Sequence, residues 1–107
     1  MHLPPAPAAL AALPLLATTA APLTAVPADP AAGLALAQRW CANCHVVGTG
    51  VPGTDSAPAF PSLALRHGGD VDWVRAWLST AHPRMPDLHL SRQEIDDVIA
   101  YLRSLPH

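Results

Sequence analysis

Hydrophobic residues recur at helical spacing near the C-terminal end of the chain. The apolar positions fall at i, i+3, i+4 and i+7, which is one face of a helix: Ile95, Val98, Ile99 and Leu102. Ser91 and Glu94 have the spacing of a capping box, and Leu90 with Ile95 forms the hydrophobic staple around it. The pattern predicts a helix that begins after Ser91 and ends before Pro106.

Two further helices are predicted upstream. Asp29 is the expected N-cap of the first, with Pro30 at its first position, and one face carries Gly33, Leu36, Ala37, Trp40, Cys41 and Cys44. The second follows Asp70, with an inner face of Val71, Val74, Trp77, Leu78 and Ala81. Residues 46–62 and 82–86 are predicted loops, since they are rich in Gly, Pro and Ser or interrupted by proline. No segment alternates like a strand. We therefore expect an all-α fold of about three helices, with long loops that wrap a bound group.

Residues 1–28 form an uncharged run rich in alanine, leucine and proline. About 20 apolar residues would span a bilayer, but prolines interrupt this run throughout. The segment is predicted to be a signal peptide cleaved near Ala28, with Ala20 and Ala21 as earlier candidate sites. Its start lacks Lys and Arg, so a disordered Pro/Ala tail stays open as an alternative. The folded domain is expected over residues 29–107.

Composition limits what this domain can be. The chain has 107 residues, and the folded part is small enough to need a disulfide, a metal or a cofactor for stability. Its only two cysteines are too close together for a disulfide between them to stabilise the whole domain. The six basic residues are all arginines scattered along the chain, and the net charge is −2. Nucleic acid is therefore excluded as an expected partner.

The stretch RWCANCHVVG places Cys41, Cys44 and His45 together. A thiol-redox site would need the cysteines at the start of a helix after a strand, whereas here they end a helix. A zinc site would need His45 and a further ligand. The candidates for that ligand are His67, His82 and His89.

Covalent haem attachment explains the same spacing. On one helical turn, Cys41 and Cys44 can both reach one edge of a porphyrin and form thioethers. His45 then follows one turn after Cys41, where it can ligate the iron.

A second iron ligand is expected in HPRMPDL. Met85 is the only methionine after residue 28, and Pro83 and Pro86 would hold its loop rigid. His82 and His89 are the rival ligands. Paired His and Met ligands raise the potential relative to two histidines and leave no vacant coordination position, which favours electron transfer.

With these residues together, the chain from Asp29 to Leu105 resembles the small cytochromes c of the bacterial periplasm, which have His/Met-ligated haem. In that family a glycine eight residues before the first motif cysteine lets the terminal helices cross closely, and Gly33 has that position. The C-terminal helix supplies an aromatic partner, which the DVIAYL stretch offers in Tyr101, next to Val98. The family often has an aromatic residue four positions after this glycine, whereas this chain has Ala37. The resemblance therefore implies that the contact between the terminal helices is repacked around Leu36 or Trp40.

The resemblance also implies contacts around the haem. Pro58 is expected to offer its carbonyl to the ring N–H of the axial histidine, with Pro61 as a weaker candidate. Phe60 is expected to pack on the haem. Trp73 and Trp77 are interpreted as core residues, with an indole bond to a haem propionate as the alternative.

The function implied is that of a periplasmic single-electron carrier, not an enzyme. It would hold one haem c through Cys41 and Cys44, with His45 and Met85 as axial ligands. We expect a monomer without a transmembrane span that docks transiently on redox partner proteins. Two alternatives remain: a haem enzyme or electron-donating subunit of a larger oxidoreductase with a displaceable Met85, and, more remotely, a thiol oxidoreductase.

Overall fold

The computed structural model describes residues 1–21, 26–50, 53–81 and 83–106. Within these residues the secondary structure is helical and contains no strand, which confirms the all-α prediction. The elements in chain order are α1 (Pro30–Leu36), a π-helical turn (Ala37–Cys41), α2 (Phe60–His67), α3 (Val71–Ser79) and α4 (Arg92–Ser104).

The terminal helices α1 and α4 form the largest helix–helix contact of the fold. Asp29 caps α1 by accepting a hydrogen bond from the Ala31 backbone N–H at 2.9 Å. The predicted capping box of α4 is present: the Ser91 hydroxyl accepts from the Glu94 N–H, and the Glu94 carboxylate accepts from the Ser91 N–H. Local sequence therefore determines where both helices begin.

Helix α4 supplies more of the described core than any other helix. Its buried apolar side chains are Ile95, Val98, Ile99, Tyr101 and Leu102. On the facing side, Gly33 and Ala37 are buried, and Leu34 packs against the same cluster. Ala37 is thus a core residue itself. The partly buried side chain of α1 that packs against this cluster is Leu34, rather than Leu36 or Trp40. Trp40 lies in the π-helical turn that follows α1 and is half exposed.

Helix α2 was missed by the prediction of about three helices. It begins at Phe60, inside the segment predicted as loop, with Pro61 in its first turn, where a missing N–H is tolerated. The Gly, Pro and Ser residues before it obscure this start in the sequence. Helix α3 follows as predicted, capped by Asp70, whose carboxylate accepts from the Trp73 N–H at 2.9 Å.

Residues 1–21 and 26–28 are exposed and have no regular secondary structure. Among the described residues, no helix combines the length and the apolar character that crossing a bilayer requires. All helices of the described residues lie from Pro30 onward.

Candidate haem-binding site

The cysteine motif lies where the first helical segment ends. The Ala42 N–H donates to the Ala37 carbonyl at 3.0 Å, closing the π-helical turn. The next turn is tight, because the N–H groups of Cys44 and His45 both donate to the Cys41 carbonyl, at 3.1 and 2.9 Å. The backbone of the motif is therefore fixed by its own hydrogen bonds.

The two thiols have different environments. Cys41 is buried, Cys44 is exposed, and they are not joined by a disulfide. Burial, with a smaller effect of nearby Cys44, raises the pKa of the Cys41 thiol to about 11. Redox-active cysteine pairs need a lowered thiol pKa, so this environment is the opposite of what a thiol oxidoreductase requires.

The His45 ring is held by the loop that precedes α2. Its Nδ1 lies 2.5 Å from the Pro58 carbonyl oxygen, so a proton on Nδ1 donates to that oxygen. Phe60 packs edge-on against the ring, with centroids 5.3 Å apart. With Nδ1 engaged, Nε2 is the nitrogen left to ligate a metal.

Backbone hydrogen bonds tie this loop to the motif. The Ala57 N–H donates to the Cys44 carbonyl at 2.7 Å, and the Phe60 N–H donates to the Val46 carbonyl at 2.8 Å. Pro58 therefore lies beside His45 because backbone hydrogen bonds hold the loop on both sides of Pro58.

A cavity of about 460 Å³ opens beside the motif. Cys41, Cys44, His45 and Met85 all line it. These four residues come from two segments that are 40 positions apart in the chain. Most of the other lining side chains are apolar, among them Phe60, Leu63, Val74, Leu78, Val98 and Leu102.

The Met85 loop reaches the cavity in an unusual backbone conformation. Met85 is half-buried, and Pro83, Arg84 and Pro86 also line the cavity. Arg84 has φ 74°, in the left-handed region that few non-glycine residues adopt. The neighbouring prolines restrict the rest of the loop.

Of the two histidines considered as alternatives to Met85, only His89 lies within the described residues. The His89 side chain is exposed, lies near Asp87 and is not part of the cavity lining. His82 lies outside the described residues. Among the described residues, Cys41, Cys44 and His45 included, no three His, Cys, Asp or Glu side chains are grouped so that they could hold a metal ion, so the zinc interpretation gains no support.

An aromatic column forms another wall of the cavity. His67 stacks on Trp73 with centroids 3.7 Å apart, and Trp73 stacks on Trp77 at 5.2 Å. Both tryptophans are partly exposed, at 37% and 44%, and line the cavity. Whether they pack as core residues or bind a haem propionate stays a prediction. Ala81, which was expected on the inner face of α3, is exposed and lies beyond the end of that helix at Ser79. His67 was missed as a cavity residue, because only the packing of α2 against α3 brings it there.

The cavity fits a haem in its donor set and its polarity. Two thiols lie at the same turn, an imidazole has one nitrogen oriented by a carbonyl, and a thioether enters from a separate loop. The remaining wall is apolar and aromatic, as a porphyrin requires.

Comparison with known proteins agrees with this fit. Residues 28–102 match the family model described as cytochrome C oxidase, cbb3-type, subunit III. The chain is also 39% identical over 92 residues to Cytochrome c-552 of Bradyrhizobium diazoefficiens, covering 85% of this chain and 88% of that relative. The chain belongs to the c-type cytochromes. No solved structure matches it.

Membership of this family identifies the cofactor and the general function of the cytochrome. A c-type cytochrome carries covalently bound haem c with its iron, and this one is a haem-based electron carrier. The apolar cavity beside the C-x-x-C-H motif is the part of the fold in which that cofactor fits.

Proposed function

We propose that the cytochrome is an exported single-electron carrier that holds one haem through Cys41 and Cys44, with His45 and Met85 as axial ligands. The observation that carries this proposal is that all four side chains line one apolar cavity. The haem iron, when bound, supplies a reversible one-electron couple whose potential depends on its ligands and surroundings.

The attachment residues are supported by the turn that contains them. Cys41 begins the turn, and Cys44 ends it with a hydrogen bond back to the Cys41 carbonyl. Both side chains border the cavity, although only Cys41 is buried. A fixed turn limits where the two thioethers can form and therefore how the ring is oriented.

The role of His45 is supported by its carbonyl partner. The Pro58 carbonyl holds Nδ1, which selects the tautomer with Nε2 free to bind the iron and makes the imidazole more electron-rich. Phe60 limits rotation of the ring from the other side. Both contacts support His45 as a ligand held in one tautomer and in one direction.

The role of Met85 is supported by its place in a restrained loop. A thioether ligand raises the potential relative to a second histidine. Bound to the iron, it would also leave no open coordination site for oxygen or peroxide. This favours a carrier over a haem enzyme with a displaceable Met85.

Export to the periplasm is supported by residues 1–28. The segment contributes no regular structure over its described part, and small residues precede Asp29. The net charge of −2 and the scattered arginines argue against a strongly charged docking face. We propose a monomer that meets its redox partners through small, transient contacts.

The test is an absorption spectrum of the full chain, expressed with residues 1–28 in a host that matures c-type cytochromes. The expected result is pigment that survives denaturation, sharp bands on reduction, and a weak far-red band in the ferric state. Met85→Leu should remove the far-red band, lower the potential and allow carbon monoxide to bind quickly. His89→Gln, in the exposed rival position, should leave all three properties unchanged.

Two other outcomes would contradict parts of the proposal. Loss of the far-red band in His89→Gln, with no effect of Met85→Leu, would move the axial ligand to His89. Rapid carbon monoxide binding by the unaltered protein would favour the enzyme or subunit alternative. Gel filtration of the pigmented protein would test the monomer.

A further inference from the structure

Asp97 is a buried charged residue that electron transfer does not explain. It lies in α4 on the side that meets α1 and is only 7% exposed. Its Oδ1 accepts from the backbone N–H of Asp29 at 2.8 Å and from the side-chain amide of Gln93 at 2.9 Å. Both donors are neutral.

A buried carboxylate is stable when a positive charge faces it. Over the described residues, the ion pairs are Arg75–Asp96 and His89–Asp87, and neither includes Asp97. The acceptor oxygen instead points at the nitrogen of the residue that begins the folded part of the chain.

The sequence before that nitrogen has the pattern of a cleavage site. Val26, Pro27 and Ala28 precede Asp29, with small or compact residues at the first and third positions before the bond. These residues are exposed and have no regular secondary structure. The nitrogen that Asp97 binds is therefore the one that cleavage after Ala28 would release.

We propose that leader removal between Ala28 and Asp29 creates an α-ammonium group that pairs with the buried carboxylate of Asp97. Water adds its hydroxyl to the Ala28 carbonyl carbon as the C–N bond breaks. The Asp29 nitrogen takes the remaining hydrogen and one further proton. An export-linked peptidase would perform this hydrolysis, so the inference rests on the proposed export.

The pair would replace a hydrogen bond between a neutral donor and a charged acceptor with one between two groups of opposite charge. It lies at the crossing of α1 and α4, the largest helix contact of the fold. Cleavage at Ala20 or Ala21 would leave a neutral amide against Asp97. Processing at Ala28 therefore stabilises the helix crossing as well as removing the leader.

The sequence offers a selective chemical test, because the chain contains no lysine. After processing, the α-amino group is the only primary amine, so mild acetylation neutralises it alone. The acetyl amide still keeps an N–H donor for Asp97. The experiment therefore isolates the charge from the hydrogen bond.

The pigmented, exported protein is first examined by mass spectrometry, with Asp29 expected as its first residue. Acetylation should then lower the thermal midpoint by several degrees. In a domain of this length, a loss of about 1 kcal/mol in the free energy of unfolding lowers the midpoint by about 4–8 °C. In Asp97→Asn, acetylation should leave the midpoint unchanged or raise it, because a positive charge at a helix N-terminus opposes the helix dipole. Asp96→Asn is the matched control and should respond like the unaltered protein.

An equal loss in the unaltered protein and in Asp97→Asn would overturn the inference. If Asp97→Asn fails to fold, one alanine inserted after Ala28 displaces the ammonium group while keeping Asp97. The extended chain should then respond little to acetylation, and an unchanged loss would overturn the pairing. A chain cleaved at Ala20 or Ala21 would overturn this inference alone, whereas an uncleaved chain would overturn export as well.

Discussion

Gly33 in α1 lies directly against the backbone of Asp97 in α4. A Cβ atom on Gly33 would overlap the Asp97 carbonyl and lie 2.8 Å from the Cβ of Tyr101. Because the obstacle is backbone rather than the end of a flexible side chain, the helices can accept a side chain only by moving apart. The approach of the two terminal helices therefore depends on the absence of a side chain at this position.

Gly33→Ala should destabilise the protein by about 2–3 kcal/mol, in the upper part of the range for overpacking a core. Gly69→Ala is the matched control, because a Cβ there meets nothing within 4 Å. It should stay within about 0.5 kcal/mol of the unaltered protein. Denaturant unfolding of the three proteins measures the difference, and equal midpoints would contradict the close helix crossing.

Tyr101 links α4 to the segment after the cysteine motif. Its hydroxyl donates to the Val47 carbonyl at 2.5 Å, and Val47 is fully buried. Tyr101→Phe should cost about 1–3 kcal/mol, because the carbonyl loses its partner away from water. Ser79→Ala, which removes an exposed hydroxyl bonded within α3, should cost much less. Thermal unfolding compares the two, and similar losses would argue against the buried bond.

Burial raises the pKa of the Tyr101 hydroxyl above its usual value. A raised pKa means that the folded state holds this proton more tightly than the unfolded state does. The stabilisation is therefore complete below about pH 10 and is lost as the pH rises through the folded-state value. The stability difference between the unaltered protein and Tyr101→Phe should shrink above pH 10. A difference that grows with pH would contradict the assignment.

The thiol environments predict unequal reactivity in haem-free protein. With the pKa of the Cys41 thiol raised to about 11, almost none of it is thiolate at neutral pH, and the side chain is buried. Exposed Cys44 should therefore be alkylated first. Peptide mass spectrometry after brief alkylation distinguishes the two sites, with Cys41→Ser and Cys44→Ser as single-thiol references. Equal rates would contradict the burial of Cys41.

The ion pair between Arg75 in α3 and Asp96 in α4 should contribute little. Both side chains are about one-third exposed, so solvent and salt screen the attraction. Arg75→Met should cost about 0.5 kcal/mol at low salt and less at 1 M salt. Arg66→Met, an exposed arginine on α2, is the control. A loss of more than about 2 kcal/mol would indicate a larger role at the helix contact than screening allows.

The sequence by itself determined the features that contiguous residues control. The capping box at Ser91 and Glu94 and the cap at Asp70 act over three positions, so their residues alone predict the helix starts. The spacing of Cys41, Cys44 and His45 likewise needs only one turn of backbone. The hydrogen bonds of the caps form in the same way in many surroundings, which is why the starts of these helices could be predicted.

Only the tertiary structure decided which distant residues meet. The bond from Asp29 to Asp97 spans 68 positions, and the bond from Tyr101 to Val47 spans 54. Such contacts arise from helix packing, which brings together residues that share no local pattern. The stacking of His67 on Trp73 has the same origin, because it depends on how α2 meets α3. Sequence spacing therefore defines the C-x-x-C-H motif, whereas packing decides that Met85 and the aromatic column line the same cavity. Packing also decides that Asp97 is buried at the crossing of α1 and α4.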